Sequence, residues 1–277
     1  MNRIDARFEQ LRQQGRKGLI PYVTAGYPEP AATVPVMHAA VAAGADLIEV
    51  GMPFSDVMAD GPVIQQACAS ALEQGTGTDE VLAMVAEFRR RDQNTPVIFM
   101  GYANLIERRG AETFCRQAAD AGADGLLIAD CPVDESEQMQ ALLAAAGLHQ
   151  IFLAAPTTTA SRLELTASRA AGFLYYISVK GVTGAATLDT AALGSEVERV
   201  RAAIDLPVAV GFGIRTAQQA AAVAACADAV IIGSALVRRL GEAGTTEQAV
   251  RATTEYLEPI RRALDESVAG QNKAVSI

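Results

Sequence analysis

Eight short apolar segments recur along the chain, each bounded by Gly, Pro or Asp and separated from the next by a longer stretch of mixed polarity. The segments are mostly apolar throughout and do not alternate with polar residues, which is typical of strands buried on both faces of a parallel sheet. The pattern therefore predicts eight parallel strands. They lie within residues 18–26, 46–53, 96–102, 125–132, 150–157, 173–178, 207–214 and 229–237.

The stretches between these segments have the periodicity of amphipathic helices. Residues 78–91 place four apolar side chains on one face, acidic residues in the first turn and arginines in the last turn, as the helix dipole favours. Three further pairs predict capping boxes at the start of helices after strands three, seven and eight. These pairs are Asn104 with Glu107, Thr216 with Gln219, and Thr245 with Gln248.

Eight strands alternating with helices in a chain of 277 residues match the (β/α)8 or TIM barrel, here with an extra helix at the polar N-terminus. An open doubly wound sheet also alternates in this way, but it rarely has eight evenly spaced repeats. No linker rich in Pro, Ser or Gly divides the chain. We therefore predict one barrel domain over residues 1–266 and a flexible tail over residues 267–277.

Charge and composition narrow the classes of function. The formal net charge of −9 argues against a surface for nucleic acid or for an anionic membrane. Four widely spaced cysteines and two histidines form no metal-ligand cluster, and the cysteines are expected to be free thiols in a reducing compartment. The N-terminus lacks the apolar core of a signal peptide, and no apolar run is long enough for a membrane span. A cytoplasmic protein is expected.

Carboxylates occur where a barrel of this type places its chemistry, at the C-terminal ends of the strands. Glu49 lies inside the second apolar segment, where an ionised carboxylate is costly unless it is paired or functional. Desolvation would raise its pKa and suit it to proton transfer, whereas a buried salt bridge or a protonated filler is the alternative. Asp60 lies in the loop after the same segment, where it is either a helix cap or a second functional carboxylate. Asp130 is expected to orient its own turn by a hydrogen bond.

Glycines collect in the loops after the last three strands. Strand seven ends in GFGIRT (211–216), strand eight in Gly233-Ser234, and the loop after strand six reads KGVTGA (180–185). In these barrels the loops after strands seven and eight and a helix N-terminus commonly hold a phosphate, because backbone N–H groups face the anion. The glycines together predict a small phosphate ester as the substrate.

The chain resembles the α subunits of tryptophan synthase over nearly its full length. The most specific stretches are GMPFSDVMADGP (51–62) and KGVTGA, supported by IPYVTAGYP (20–28) and FMGYANLI (99–106). The resemblance implies a lyase that cleaves indole-3-glycerol phosphate reversibly, in a retro-aldol sense, to indole and glyceraldehyde 3-phosphate. It further implies that indole passes to a β subunit for synthesis of L-tryptophan.

The resemblance also implies roles for individual residues. Glu49 would be the general acid and base, Asp60 the partner of the indole N–H, and Asp56 a contact with the partner subunit. Thr183 would help to close the site and position the aspartate. The implied indole pocket is lined by Tyr22, Met100, Tyr102, Leu127, Ala129 and Tyr175, and the implied phosphate site by Gly184, Gly211, Phe212, Gly213, Gly233 and Ser234.

The implied assembly is an αββα heterotetramer with a β subunit that carries pyridoxal phosphate, while this subunit needs no metal or organic cofactor. Two alternatives remain among enzymes: a stand-alone lyase that releases free indole, and another phosphate-binding barrel of amino-acid biosynthesis. A non-catalytic activator of a partner is an alternative of a different class. The presence of both Glu49 and Asp60 disfavours the activator.

Three positions depart from the usual pattern of the family. One of them, Tyr27 in AGYP (25–28), replaces an aspartate and is remote from the implied chemistry. Val57 replaces a proline, which is expected to leave the loop less preorganised and to affect coupling to the partner more than the chemistry. Tyr22 replaces a phenylalanine and adds a hydroxyl group near the implied indole pocket.

Overall fold

A closed barrel of eight parallel strands forms the centre of the computed structural model, which describes residues 1–177, 190–211 and 213–274, with side chains up to residue 267. Each strand pairs with the next, and β1 pairs with β8, so the TIM barrel is confirmed and an open sheet is excluded. The strands are β1 Gly18–Thr24, β2 Ile48–Gly51, β3 Val97–Gly101, β4 Gly125–Ile128, β5 His149–Ala154, β6 Leu174–Ile177, β7 Val208–Gly211 and β8 Ala229–Ile232.

The helices surround the barrel, except for the first, which covers its amino-terminal end. They are α1 Arg3–Gln13, α2 Thr33–Ala42, α3 Pro62–Glu73, α4 Thr78–Arg89, α5 Ala103–Arg109, α6 Ala111–Ala121, α7 Glu137–Ala145, α8 Ala160–Arg169, α9 Thr190–Arg201, α10 Ala217–Ala224, α11 Ser234–Gly241 and α12 Thr246–Ala274. No helix in the described part of the chain is both long and apolar enough to cross a membrane. The division into one domain and a flexible tail stays a prediction.

The strands are shorter than the apolar segments that predicted them. The last segment, 229–237, shows the reason: β8 ends at Ile232 and α11 begins at Ser234. The inner face of α11 carries Leu236 and Val237, both fully buried, so the apolar run continues from strand into helix. A short apolar run does not separate these two states by periodicity.

Two of the three predicted capping boxes are confirmed. The Thr216 hydroxyl accepts a hydrogen bond from the Gln219 N–H (3.2 Å), and the Thr245 hydroxyl accepts one from the Gln248 N–H (3.3 Å). In both boxes the glutamine side chain accepts from the N–H of the residue just before the threonine. These bonds satisfy N–H groups at the start of α10 and α12.

The third capping box, Asn104 with Glu107, is wrong. Helix α5 begins one residue earlier, at Ala103, and has no side-chain cap from its own segment. The Ala103 N–H instead donates to Asp130 Oδ1 (2.8 Å) from the end of the neighbouring strand β4. Asp130 was expected to orient its own turn, but its carboxylate instead fixes the start of α5.

Side chains inside the barrel form a core separate from the layer between strands and helices. Helix α1 contributes Ile4, Phe8 and Leu11 to this inner core, with the Phe8 ring 5.5 Å from that of Phe173. The aromatic and aliphatic side chains of α1 therefore close the amino-terminal end of the barrel. The carboxyl-terminal end is left for the loops that carry the candidate site.

Candidate active site

Glu49 lies at the carboxyl-terminal end of the inner core, next to Tyr22 of β1 in the strand register. Its side chain is buried, with 3% of its surface exposed. Within the described residues, its carboxyl group has no hydrogen bond and no ion pair, so the alternative of a buried salt bridge is not supported there. Burial, followed by the charge of Asp60, raises the pKa of Glu49 to about 8. A carboxyl group with this pKa is protonated at neutral pH.

Asp60 lies in the loop after β2 and is held by Tyr102 at the end of β3. The Tyr102 hydroxyl donates to Asp60 Oδ2 (2.7 Å) and accepts from the Ala59 N–H (3.2 Å). The ring of Phe54 stacks on the Tyr102 ring at 5.6 Å. Burial raises the pKa of Asp60, and the hydrogen bond from Tyr102 opposes that rise.

Asp60 does not cap the helix that follows it. Helix α3 begins at Pro62, with Gly61 at the cap position and no side-chain hydrogen bond there. Of the two interpretations of Asp60 from the sequence, the capping interpretation is therefore wrong. Its carboxylate is half-buried, faces the strand ends and is available for chemistry there.

Val57 anchors the loop that carries Asp60. Its side chain is 6% exposed and forms a buried cluster with Cys68 of α3 and Tyr102 of β3. The Val57 carbonyl accepts a hydrogen bond from the Asp60 N–H (3.1 Å), which closes a tight turn. Where a proline would restrain this loop through its ring, valine restrains it through packing.

Two tyrosines lie over glycines at the strand ends. A Cβ at Gly51 would lie 1.9 Å from the Tyr22 hydroxyl oxygen, and a Cβ at Gly211 would lie 2.5 Å from that of Tyr175. Both positions thus require glycine because a phenol occupies the space of a side chain. Burial raises the pKa of both tyrosines, with Cys68 next for Tyr22 and Glu49 next for Tyr175.

Apolar side chains complete the floor of the site. Met100, Ala129 and Tyr175 are half-buried and pack on the inner core, while Leu127 is fully buried within it. Leu153 of β5 belongs with them, because it pairs with Tyr175 in register and packs on the same cluster. Leu153 is not among the site residues predicted from the sequence, although alternate residues of β5 face inward from Ile151 onward.

The glycines of the predicted phosphate site collect at the ends of β7 and β8. Gly211 ends β7, and Gly213 has a φ of +76°, which favours glycine. Gly233 separates β8 from α11, whose first residue is Ser234. The start of α11 therefore offers a hydroxyl group and free backbone N–H groups for an anion. Phe212, Thr183 and Gly184 lie outside the described residues.

Asp56 lies on the outer side of the same loop as Val57. Its side chain is exposed and accepts a hydrogen bond from the Ser55 hydroxyl (2.9 Å). A groove of about 530 Å³ adjoins this segment and is lined by Phe54, Asn104 and Arg108, among others. The loop thus has an inner side at the site and an outer side on the surface.

Comparison with known proteins identifies relatives over the whole barrel. The family model described as tryptophan synthase alpha chain matches residues 8–265. The tryptophan synthase alpha chain of Nitrosococcus oceani is 52% identical over 266 residues, which cover 96% of this chain and 98% of the relative. That of Thioalkalivibrio sulfidiphilus is 53% identical over 266 residues, 96% of this chain and 100% of the relative.

Solved structures give the same result. The crystal structure of tryptophan synthase subunit alpha from Legionella pneumophila has a TM-score of 0.91 and 43% identity, covering 96% of this chain and 99% of that one. A crystal structure of tryptophan synthase from M. tuberculosis has a TM-score of 0.85 and 36% identity, covering 95% of this chain and 99% of that one.

Proposed function

We propose, from the premise that this chain belongs to the tryptophan synthase alpha chain family, that Glu49 and Asp60 divide the chemistry of its reaction between them. The chain is a lyase that cleaves indole-3-glycerol phosphate to indole and glyceraldehyde 3-phosphate. The observation that carries the proposal is the presence of two different carboxyl groups at the open end of the barrel. Glu49 is buried without a partner among the described residues, and Asp60 accepts a hydrogen bond.

Glu49 acts as general acid and then as general base. Indole is a poor leaving group as a carbanion, so C3 of the ring must gain a proton before the carbon–carbon bond breaks. With a pKa of about 8, the Glu49 carboxyl group holds that proton at neutral pH and gives it to C3. The resulting carboxylate takes the proton of the adjacent glycerol hydroxyl. The bonding electrons then return to the indole ring, the hydroxyl carbon becomes the aldehyde, and Glu49 is again protonated.

Asp60 stabilises the ring while it carries positive charge. Protonation at C3 places that charge on the ring nitrogen, whose N–H then donates more strongly to a carboxylate. This role requires an ionised aspartate. The hydrogen bond from the Tyr102 hydroxyl supports it, because a donor to the charged form lowers the pKa of the carboxyl group.

Two regions of the site orient the substrate: one binds its phosphate and the other contacts its indole ring. The phosphate binds at Gly211, Gly213, Gly233 and Ser234, where the start of α11 favours an anion. The indole ring lies against the apolar side formed by Met100, Ala129, Leu153 and Tyr175. Thr183, Gly184 and Phe212 keep the roles inferred from the family.

As an alpha chain of this family, the protein has a β subunit as its partner. We infer an αββα heterotetramer in which the β subunits hold pyridoxal phosphate and receive the indole. The exposed Asp56 and the groove beside it support a contact on the outer side of the Asp60 loop. The proposed steps in this subunit use side-chain acids and bases alone, and the four free cysteines support a cytoplasmic location.

Substitutions that keep the shape of each carboxyl group test this division. We expect Glu49→Gln and Asp60→Asn each to lower indole formation by a factor of about a hundred or more, since acid–base groups and charge stabilisation contribute at that scale. Asp130→Asn is the matched control, because Asp130 lies after strand β4 at the same end of the barrel and, among the described residues, its side chain bonds only to the start of α5. Retention of substantial turnover in Glu49→Gln would overturn the assigned role.

The same assay separates the alternative functions. Cleavage that is strongly stimulated by a β subunit supports the proposal, whereas high activity of the chain alone indicates a stand-alone lyase. A chain that is catalytically silent but activates the β subunit would be an activator. Binding of glycerol 3-phosphate, a phosphate ligand, shows in each variant that the site remains folded.

A further inference from the structure

The hydroxyl group of Tyr22 is a buried hydrogen-bond donor without an acceptor in the part of the chain that the structure describes. Tyr22 is 3% exposed, and its oxygen accepts a long hydrogen bond from the Thr24 hydroxyl (3.4 Å). Among the described residues, nothing accepts the hydrogen of the Tyr22 hydroxyl. A buried donor that stays unpaired is unfavourable, so a donor of this kind inside an active site is expected to find its acceptor in the bound state.

The ring of Tyr22 crosses the open end of the barrel from the phosphate site toward Asp60. A Cβ at Gly233 would lie 3.8 Å from the Cβ of Tyr22, while the Tyr22 hydroxyl lies over Gly51 at the end of β2. Tyr22 also forms a buried cluster with Ala67 of α3, the helix that begins two residues after Asp60. The hydroxyl group is therefore on the side of the site that carries Asp60.

The groups that face Asp60 come from five elements. Of these groups, only the Tyr102 hydroxyl donates to Asp60 in the described structure, and it occupies Oδ2. Besides burial, the charge of Asp60 helps to keep Glu49 protonated, because it raises the pKa of Glu49, and both carboxyl groups raise the pKa of Tyr175 when they are ionised. The five groups are Tyr22 from β1, Glu49 from β2, Tyr102 from β3, Tyr175 from β6 and Cys68 from α3.

We propose that Tyr22 is a positioning residue for this reaction, which donates a second hydrogen bond to the Asp60 carboxylate when substrate covers it. The inference rests on the proposed role of Asp60. In the free protein Asp60 is half-buried, so water can reach the oxygen that Tyr102 leaves free. Bound indole displaces that water, and an ionised carboxylate then needs replacement donors. The indole N–H is one such donor, and the Tyr22 hydroxyl is another.

Tyr22→Phe tests the proposal, because it removes one oxygen and restores the residue that is usual in the family. We expect kcat for indole formation to fall by about tenfold, as for loss of a hydrogen bond to a charged group. The loss of a donor to the ionised form raises the pKa of Asp60. The acidic limb of the pH profile of kcat should therefore move to higher pH by about one unit. The acidic limb of the pH profile of kcat/KM should not move. This profile reports the free enzyme, in which the hydrogen bond from Tyr22 to Asp60 is absent.

Two matched tyrosine variants serve as controls in the same assay. Tyr102→Phe removes a hydrogen bond that exists in the free protein, so it should move the acidic limbs of both kcat and kcat/KM. Tyr176→Phe should move neither, because the Tyr176 hydroxyl donates to Glu196 on the outside of the barrel (3.2 Å). Thermal unfolding of each variant checks that the fold is retained.

Each outcome decides the question. A Tyr22→Phe chain with the wild-type kcat and an unmoved acidic limb would overturn the inference. A raised KM with an unmoved limb would also overturn it, since the hydroxyl group would then bind the substrate instead of Asp60. If Asp60→Asn is inactive while Tyr22→Phe is neutral, only this inference fails. If Asp60→Asn is fully active, the proposed role of Asp60 fails first.

Discussion

At the scale of single residues, two carboxyl groups differ through their surroundings. Glu49 is buried without a partner among the described residues and is protonated at neutral pH, whereas Asp60 is half-buried and accepts a hydrogen bond from Tyr102. Among the described residues, tyrosines rather than basic residues surround the pair. Phenols donate hydrogen bonds without fixing a charge, so they leave Glu49 free to gain and lose its proton.

The raised pKa of Glu49 makes stability depend on pH. The pKa of Glu49 is about 8 in the folded chain against an ordinary value of 4.5, so folding binds a proton when the pH lies between these values. The free energy of unfolding should therefore fall as the pH rises from about 5 to 8. Glu49→Gln removes this dependence and should be more stable than the wild type above pH 8, by about 2 to 5 kcal/mol.

Urea unfolding at pH 5 and pH 8.5 measures this difference. The exposed Glu258→Gln is the control, and it should follow the wild type at both pH values. An equal free energy difference between Glu49→Gln and the wild type at both pH values would contradict a raised pKa of Glu49.

The sequence indicated Glu49 as a functional residue, but it did not show that the Glu49 carboxyl group lacks a partner among the described residues. A glutamate within an apolar segment was visible from the order of residues alone. That no described residue pairs with Glu49 depends on the register of β1 against β2, which places Tyr22 of β1 beside Glu49. For the same reason, the free donor of Tyr22 could not be predicted, because it requires the positions of Thr24, Gly51 and α3 together.

At the scale of elements, the loop after β2 carries the functional Asp60 and also packs against neighbouring elements through Val57. Its inner side holds Asp60 through Tyr102, and Val57 fixes it by burial beside Cys68. Its outer side presents Asp56 to solvent. The expectation that valine leaves this loop less preorganised than proline stays a prediction, but the packed side chain provides a restraint that the sequence did not show.

Val57→Ala should loosen this loop and leave the phosphate site intact. The change removes two buried methyl groups, which costs about 1 to 2.5 kcal/mol at a packed position. Because the turn to Asp60 depends on this contact, we expect kcat to fall several-fold, while inhibition by glycerol 3-phosphate stays unchanged. Val63→Ala, at a half-buried position early in α3, is the matched control. An unchanged kcat in Val57→Ala would show that Val57 does not position Asp60.

The order of the strands was predictable because eight apolar segments are separated by amphipathic stretches in the sequence, although two helices instead of one follow β2, β3 and β8. The ends of the helices and strands were not predictable, as the wrong capping box at Asn104 illustrates. The cap of α5 comes from Asp130 on another strand, and contacts between distant segments leave no local signal. Thr216 and Thr245 could be predicted because their caps are formed within four residues.

At the scale of the whole molecule, the two ends of the barrel have different tasks. At the amino-terminal end, Asp46, Asp124 and Asp228 each accept the N–H of the residue at or beside the start of a neighbouring strand. Each also pairs with an arginine, at 3.0, 2.8 and 2.8 Å respectively. Together with α1, these pairs close that end. The carboxyl-terminal end keeps a carboxyl group without an ionic partner among the described residues, which is unfavourable for stability and useful for proton transfer.

Direct titration of the Glu49 carboxyl group tests the central claim, that a buried acid at the open end of the barrel supplies the proton for cleavage. The chain labelled with ¹³C at glutamate carboxyl groups is titrated by NMR, and Glu49→Gln identifies the resonance. A midpoint at about pH 8 is predicted. A midpoint near 4.5 would mean that Glu49 is ionised at neutral pH and would contradict its role as the acid.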